Sequence, residues 1–348
     1  MKACVLHGIG DLRYEEVPIV QPKAGEVLVH IKACGICGSD IARVFTKGTY
    51  HFPTIPGHEF AGIVEAASSE ELKHWVGKKV AIFPLKPCRI CGPCQIGKYA
   101  QCEDYDYFGS RCDGGFSEYI SVPVWNLVPV PDNVSLEEAA MCEPAAVAYH
   151  AISRVKMLPG ENVLIVGAGT IGLMAAMWAR VAGAAQVILA DVDSKKLDFA
   201  NKLGFSNTVC STKEDLMTRV NEITENKGVL YAFDCAGVAA ALENCLNIVA
   251  PFGKVVAVGN PSGDMLIHQN AYWNILRKEL KLYGTWNSSY VGKNNEWCKV
   301  ISAMTSKQID LKPLITHRYS LDQYQEAFNV LRENKEFAVK VMFVNEER

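Results

Sequence analysis

At 348 residues the chain exceeds what one hydrophobic core usually holds, so two domains are expected. A composition of 49% hydrophobic and 21% charged residues is that of an ordinary soluble globular protein and excludes a disordered chain. The net charge of -3 and pI near 6.3 argue against a general nucleic-acid or anionic-membrane surface.

The opening stretch MKACVLHGIGDLRYEEV has no apolar signal core, and nothing later approaches about 18 uninterrupted apolar residues. A cytoplasmic protein with no membrane span is therefore expected. Thirteen cysteines, an odd number, fit reduced thiols and metal ligands better than a disulfide framework.

Up to about residue 150 the chain reads as short strands punctuated by Gly and Pro. Residues 25–33 and 62–66 alternate apolar with polar, and 78–82 offer another strand. Inside this stretch Cys88, Cys91, Cys94 and Cys102 form C-x2-C-x2-C-x7-C, with Pro87, Gly92, Pro93 and Gly97 turning the loop. Four thiolates on one short loop can close a tetrahedron around zinc and leave no open position, which predicts a structural site. An iron–sulfur cluster fits less well, because its bacterial spacing ends in C-x3-C-P and Cys102 is followed by Glu103.

Residues 136–157 turn helical, and Pro159-Gly160 marks a boundary. Val163-Leu164-Ile165-Val166 is the apolar run of a buried parallel strand, and it leads into Gly167-Ala168-Gly169-Thr170-Ile171-Gly172 and a helical pattern. Gly167 permits the tight turn, Gly169 permits close approach of a pyrophosphate, and Gly172 permits close helix–strand packing. The backbone N–H groups where the helix starts, at Thr170 and Ile171, can bind the diphosphate. The next strand, QVILAD over 186–191, ends on Asp191, about 20 residues on, where a ribose 2'-hydroxyl is bound in dinucleotide folds. An acid there repels a 2'-phosphate, so NAD is predicted over NADP, although Lys195 and Lys196 lie close by.

Further strands are predicted at 208–210, 230–235, 254–258 and 280–286, with helices at 194–203, 214–224 and 238–249 between them. This alternation predicts an α/β fold with a doubly wound parallel sheet. The last stretch holds helical segments at 297–304 and 321–332 and a strand at 338–344. It is too small to fold alone, so the expected division is 1–150 with 286–348 as one domain and 151–285 as the dinucleotide-binding domain.

A second set of candidate ligands is scattered: Cys37 in CGICGSD, His58-Glu59 in PGHEFAG and Glu143 in CEPAA. Spacing alone does not bring these residues together, and each has an ordinary structural explanation.

In order along the chain, CGICGSD, GHEFAG, the four-cysteine loop, DGGFSEY, CEPAA and VGAGTIG resemble the zinc-dependent medium-chain dehydrogenases, the group of alcohol, sorbitol and threonine dehydrogenases. FGSRCDGGFSEY, the Glu143-Pro144 pair, ILRKELKLYGTW and LKPLITHRYSL are similar to its polyol and polyol-phosphate branch. The resemblance implies a GroES-like catalytic domain beside a Rossmann domain, a homodimer or homotetramer, and hydride transfer between NAD and a secondary alcohol of a hexitol phosphate. It further implies that Cys37, His58, Glu59 and Glu143 bind a catalytic zinc, with the two glutamates sharing the oxygen positions, and that Ser39 relays the alcohol proton. Ser39 is equally suited to cap the helix beginning near Asp40.

One departure stands out: the family often has a relay histidine three residues after that serine, and this chain has Ala42. Proton exit from Ser39 through the cofactor ribose or water is the expected substitute. A phosphorylated substrate calls for cations, and Arg43 and Lys47 fall at i and i+4 on the predicted helix after Cys37, with Arg111 in the GSRCDGG loop. Sorbitol, L-iditol, pentitol phosphates and threonine are the competing substrates. A non-catalytic dinucleotide-binding protein would be expected to have lost the zinc ligands, which are present here.

Overall fold

The computed structural model describes residues 1–261, 263–333 and 335–345. Two compact units divide the chain, Met1–Glu143 with Ser289–Arg348, and Pro144–Ser288. The divisions expected from the sequence lie near 150 and 286, and residues 346–348 lie outside the described residues.

The first unit is built on a seven-stranded sheet. Its order is Ile315–Tyr319, Lys340–Val344, Glu26–Ile36, Glu59–Ala67, Lys79–Ile82 and Leu127–Pro129, and Tyr119–Pro123 also pairs with Glu26–Ile36. The long strand Glu26–Ile36 is the organising element. It pairs antiparallel with Glu59–Ala67 so that Gly35 faces Glu59, and with Lys340–Val344 so that Ile36 faces Val341. Apolar residues of this strand, Val27, Val29, Ile31 and Ile36, join Phe60, Phe116, Phe328 and Phe343 in one buried core. Two hairpins accompany the sheet, Lys2–Gly8 with Asp11–Glu16, which the sequence reading did not single out, and Leu85–Pro87 with Tyr105–Tyr107.

The second unit is a six-stranded parallel sheet in the order Thr208–Cys210, Gln186–Asp191, Asn162–Val166, Val229–Asp234, Val249–Ala257 and Lys281–Gly284. This is the 3-2-1-4-5-6 order of doubly wound sheets, whose ligands sit beyond the carboxyl ends of the strands where the order reverses. That reversal falls beside Asn162–Val166, the strand that feeds the glycine turn. Leu164, Ile165, Ile188 and Ala232 are fully buried, as apolar strands covered on both faces must be.

The helix expected over 136–157 is two helices, Leu136–Ala140 and Cys142–Arg154, which meet at Met141. A helix the sequence reading did not single out, Gln269–Arg277, precedes the last strand of the parallel sheet. No helix among the described residues is long and apolar enough to cross a membrane.

Candidate active site

Three of the scattered candidates converge in the first unit. One ligand atom from each of Cys37, His58 and Glu59 lies within 4.8 Å of the others. The sheet causes this: Cys37 follows the end of Glu26–Ile36, His58 precedes the start of Glu59–Ala67, and antiparallel pairing sets end against start. Glu143 is buried in the same unit and accepts a hydrogen bond from the Tyr107 hydroxyl at 3.2 Å, while the Tyr107 and His58 rings are 5.8 Å apart. It stands outside the three-residue group. Burial pushes the Glu143 carboxyl up to about 7, with His58 pulling it down and Glu59 adding to the rise.

Asp40 organises one side of the cluster. Fully buried, it accepts from the Cys37 N–H at 2.9 Å and from Arg43 Nη1 at 2.7 Å, and its Oδ1 faces His58 Nδ1 at 3.3 Å. Burial favours the neutral acid, but His58 and Arg43 outweigh it and hold Asp40 down at about 2. For His58 burial opposes charge, and the Asp40 carboxylate more than reverses this, raising the ring well above its usual value. With Nδ1 turned to Asp40, the other ring nitrogen is the one available to an ion, an arrangement common for metal-binding histidines.

Lys340 organises the other side. Its Nζ donates to both oxygens of Glu59, at 2.8 and 2.5 Å, and to the Ile36 carbonyl at 3.3 Å. Burial works against the Lys340 charge, and Glu59 more than offsets it. The two side chains come from strands on either side of Glu26–Ile36 and meet over Gly35, where a Cβ would collide with the Glu59 carboxylate.

Arg43 and Lys47, expected together as substrate cations, meet different surroundings. After Gly38–Ala42 the chain continues as a π-helical turn, Arg43–Lys47. Arg43 turns inward, with Nη1 donating to Ser39 Oγ at 2.9 Å as well as to Asp40, while Lys47 is exposed. Ser39 is thus an acceptor for Arg43 rather than a cap on the helix, whose capping position is Cys37. Arg111 lies between the rings of Tyr50 and Tyr105.

Cys88, Cys91, Cys94 and Cys102 form a second group with all four sulfurs within 4.8 Å, and every cysteine of the chain is a free thiol. Sγ separations of 4.0, 3.8 and 3.5 Å match the edge of about 3.8 Å that a tetrahedron with Zn–S bonds of about 2.3 Å requires. Backbone N–H groups of Ile90 and Cys91 draw the Cys88 thiol down to about 7, whereas burial pushes Cys94 up to about 12. A cation among these sulfurs would supply the charge that holds all four as thiolates.

In the second unit, Gly167 has φ 105°, and a Cβ there would press on the Ala236 N–H at 2.9 Å. A Cβ at Gly172 would run into the Gly167 carbonyl, so helix and turn pack only with glycine. Gly169, by contrast, has nothing within 4 Å of a Cβ position and immediately precedes the helix Thr170–Val181, which leaves open space over N–H groups that need acceptors. Asp191 ends its strand with Oδ2 accepting from Ala168 N–H at 2.7 Å and Oδ1 from Asp193 N–H at 2.9 Å, and Lys196 Nζ stands 3.6 Å from the carboxylate. The acid therefore ties the glycine turn to the neighbouring strand.

Asp40, Tyr107 and Lys340 were not among the sequence candidates. Lys340 carried a readable sign, a charge inside the apolar strand AVKVMF. Asp40 lay within CGICGSD, three residues past Cys37. Nothing local distinguished Tyr107.

The chain matches the family model of the alcohol dehydrogenase GroES-like domain over residues 23–132 and that of the zinc-binding dehydrogenases over residues 170–306. It is 35% identical over 336 residues to the galactitol 1-phosphate 5-dehydrogenase of Escherichia coli K12, covering 96% of this chain and 97% of that one. It is 34% identical over 348 residues to the sorbitol dehydrogenase of Bacillus subtilis, covering 98% and 96%. The crystal structure of galactitol-1-phosphate dehydrogenase from Escherichia coli aligns with a TM-score of 0.91 at 34% identity, over 99% of this chain and 100% of that one. Two family models and near-full-length relatives agree with the fold and with the order of the motifs, and the chain belongs to the zinc-binding medium-chain dehydrogenases, in the polyol dehydrogenase group, with a GroES-like domain and a Rossmann-type parallel sheet.

Proposed function

We propose that this oxidoreductase is NAD-dependent and interconverts a secondary alcohol of a polyol phosphate with the ketone, with galactitol 1-phosphate and its keto sugar phosphate as the pair. The observation that carries the reading is the convergence of Cys37, half-buried, with the buried His58 and Glu59, a sulfur, an imidazole and a carboxylate within 4.8 Å of one another. That donor set suits a catalytic zinc, with Glu143 as the further carboxylate, and the four-cysteine group suits a structural one. Gly167, Gly169, Thr170, Ile171 and Gly172 would hold the NAD diphosphate, and Asp191 its ribose. When bound, zinc polarises the alcohol oxygen and lowers its pKa, and NAD takes up the hydride.

The chain's own residues then do the following. Asp40 fixes the His58 ring, and Lys340 holds Glu59, so the donors are oriented before any substrate arrives. Ser39 accepts the alcohol proton at Oγ and releases its own hydroxyl proton to water. Arg43 has no lone pair to receive a proton, and Ala42 has no ring, so neither can serve as the exit. Arg43 instead positions Ser39.

An acid at position 191 disfavours a 2'-phosphate, which supports NAD over NADP. The galactitol 1-phosphate assignment is supported by the 35% identity to the Escherichia coli enzyme of that name. Sorbitol dehydrogenase similarity of 34% makes sorbitol the comparison substrate. The test is NAD and NADP reduction by zinc-loaded protein across galactitol 1-phosphate, sorbitol, L-iditol, ribitol phosphate and threonine. The highest kcat/KM is expected for galactitol 1-phosphate with NAD, and equal or better use of sorbitol would overturn the phosphorylated substrate.

The same reading takes the protein as a homo-oligomer, a dimer or tetramer. The strand Lys281–Gly284 is an edge of the parallel sheet, and Leu282, Trp286, Tyr272, Trp273 and Leu276 nearby in sequence are exposed. An open edge flanked by exposed apolar residues favours pairing with a second copy.

A further inference from the structure

A phosphorylated polyol needs a fixed cation in the first unit. Arg43 is neutralised by Asp40 at 2.7 Å, and Lys47 is an exposed, flexible ammonium. Arg111 differs from both. Its guanidinium carbon lies 4.0 Å from the centroid of the Tyr50 ring and 4.4 Å from that of Tyr105. The groups facing its charge are those two phenols, and among the described residues no carboxylate pairs with it. Its Nε is buried without a hydrogen-bond partner.

The backbone around this side chain is also held. Arg111 N–H donates to the Tyr107 carbonyl at 3.0 Å, the Arg111 carbonyl lies 3.2 Å from His51 Nε2, and Tyr50 N–H donates to the Ser110 carbonyl at 3.3 Å. Stacking between two rings removes most of the rotamer freedom that makes a surface arginine a poor anchor. An unpaired donor beside an unneutralised charge calls for an anionic acceptor, and a guanidinium fork matches two oxygens of a phosphate.

Its place relative to the ligand cluster follows from the strand Tyr105–Tyr107. Side chains two apart on a strand share a face, about 7 Å from one another. Tyr107 approaches His58 and Glu143, and Tyr105, one repeat away, stacks on Arg111. The intervening Asp106 is exposed and pairs with Lys86 at 3.8 Å. Arg111 thus follows Tyr107 by a strand repeat of about 7 Å and a ring stack of 4.4 Å, and an extended hexitol phosphate with its reacting carbon at the cluster would direct its phosphate along that line.

We propose that Arg111, clamped between Tyr50 and Tyr105, binds the phosphate group of the polyol phosphate; this rests on the phosphorylated-substrate reading given above. Tyr50 is 67% exposed and is the half of the clamp free to yield when an oxyanion reaches the guanidinium side-on. Arg111 thereby sets specificity while taking no part in hydride or proton transfer.

The experiment compares wild type, Arg111→Gln and Arg111→Lys, all zinc-loaded, on galactitol 1-phosphate and on unphosphorylated galactitol. Inorganic phosphate serves as an inhibitor of galactitol turnover. Arg111→Gln is expected to raise KM for galactitol 1-phosphate roughly 10–100-fold, the loss typical of a charge-assisted hydrogen bond. Its kcat, and its kcat/KM on galactitol, should move less than about threefold, the pattern of lost uniform binding. Arg111→Lys, which keeps the charge without the fork, should fall between, and phosphate should inhibit Arg111→Gln more weakly than wild type. A phosphate preference that persists in Arg111→Gln overturns the inference and leaves the substrate reading standing. Equal losses on both substrates in both variants also overturn it, because they assign Arg111 to the scaffold. A wild type that prefers unphosphorylated polyols overturns the substrate reading itself, and the anchor with it.

Discussion

Replacing Lys340 with methionine tests whether the buried ion pair under the metal-ligand cluster is needed to hold it. Lys340 and Glu59 are 3% and 1% exposed, and Nζ contacts both carboxylate oxygens, so neither charge has water as a substitute partner. In Lys340→Met the carboxylate remains buried, and its least costly response is to take up a proton. At pH 7, against about 4.3 for a glutamate in the unfolded chain, that uptake costs about 3.7 kcal/mol. The figure lies within the ~3–5 kcal/mol seen when one partner of a buried pair is removed. The folded variant then holds a proton that the unfolded chain has released, so its deficit grows with pH and shrinks to about 2.3 kcal/mol at pH 6. Calorimetric melting at both pH values would read this as a drop of roughly 2–4 °C per kcal/mol for a domain of about 150–250 residues. A Cys37→Ser background removes the proposed metal as a competing cation for Glu59. Adding Glu59→Gln should recover much of the loss, since the double variant leaves no unpaired charge at this position. A deficit below about 1 kcal/mol, or one that does not change with pH, would refute the reasoning.

The remaining predictions concern the other groups. Cys94→Ser should remove the zinc of one of the two clusters and lower the melting temperature while the other cluster keeps its metal, as measured by elemental analysis beside calorimetry. Arg43→Ala should lower kcat on galactitol 1-phosphate by roughly 10-fold or more, through loss of a hydrogen bond from a charged donor, with KM changed little; a selective rise in KM would instead return Arg43 to substrate binding. Ser39→Ala should lower the rate and alter its pH profile, and an unchanged profile and rate would remove Ser39 from proton transfer. Leu282→Lys, which sets a charge on an exposed edge strand, should shift the mass measured by light scattering toward the monomer.

Much of this protein was legible in its sequence because the deciding interactions are local. The four cysteines sit within fifteen residues of one another on one turn-rich loop, so their spacing alone specified a closed tetrahedral site. The strand, glycine turn and helix at Asn162–Gly172 are likewise adjacent in the chain, and the carbonyl that excludes a Cβ at Gly172 belongs to Gly167 of the same turn. Alternation of apolar strands with helical segments was enough to specify a doubly wound sheet. The convergence of Cys37, His58 and Glu59 needed the tertiary structure, because only antiparallel register sets the end of one strand against the start of another. Lys340 reaches Glu59 across a sequence separation of 281 residues, over a central strand that is bare only at Gly35. Spacing marks Arg43 and Lys47 alike as cations, but Ser39 and the buried Asp40 draw Arg43 inward while Lys47 stays in solvent. Local spacing determined what each segment could bind, whereas strand pairing and burial decided which charges met one another.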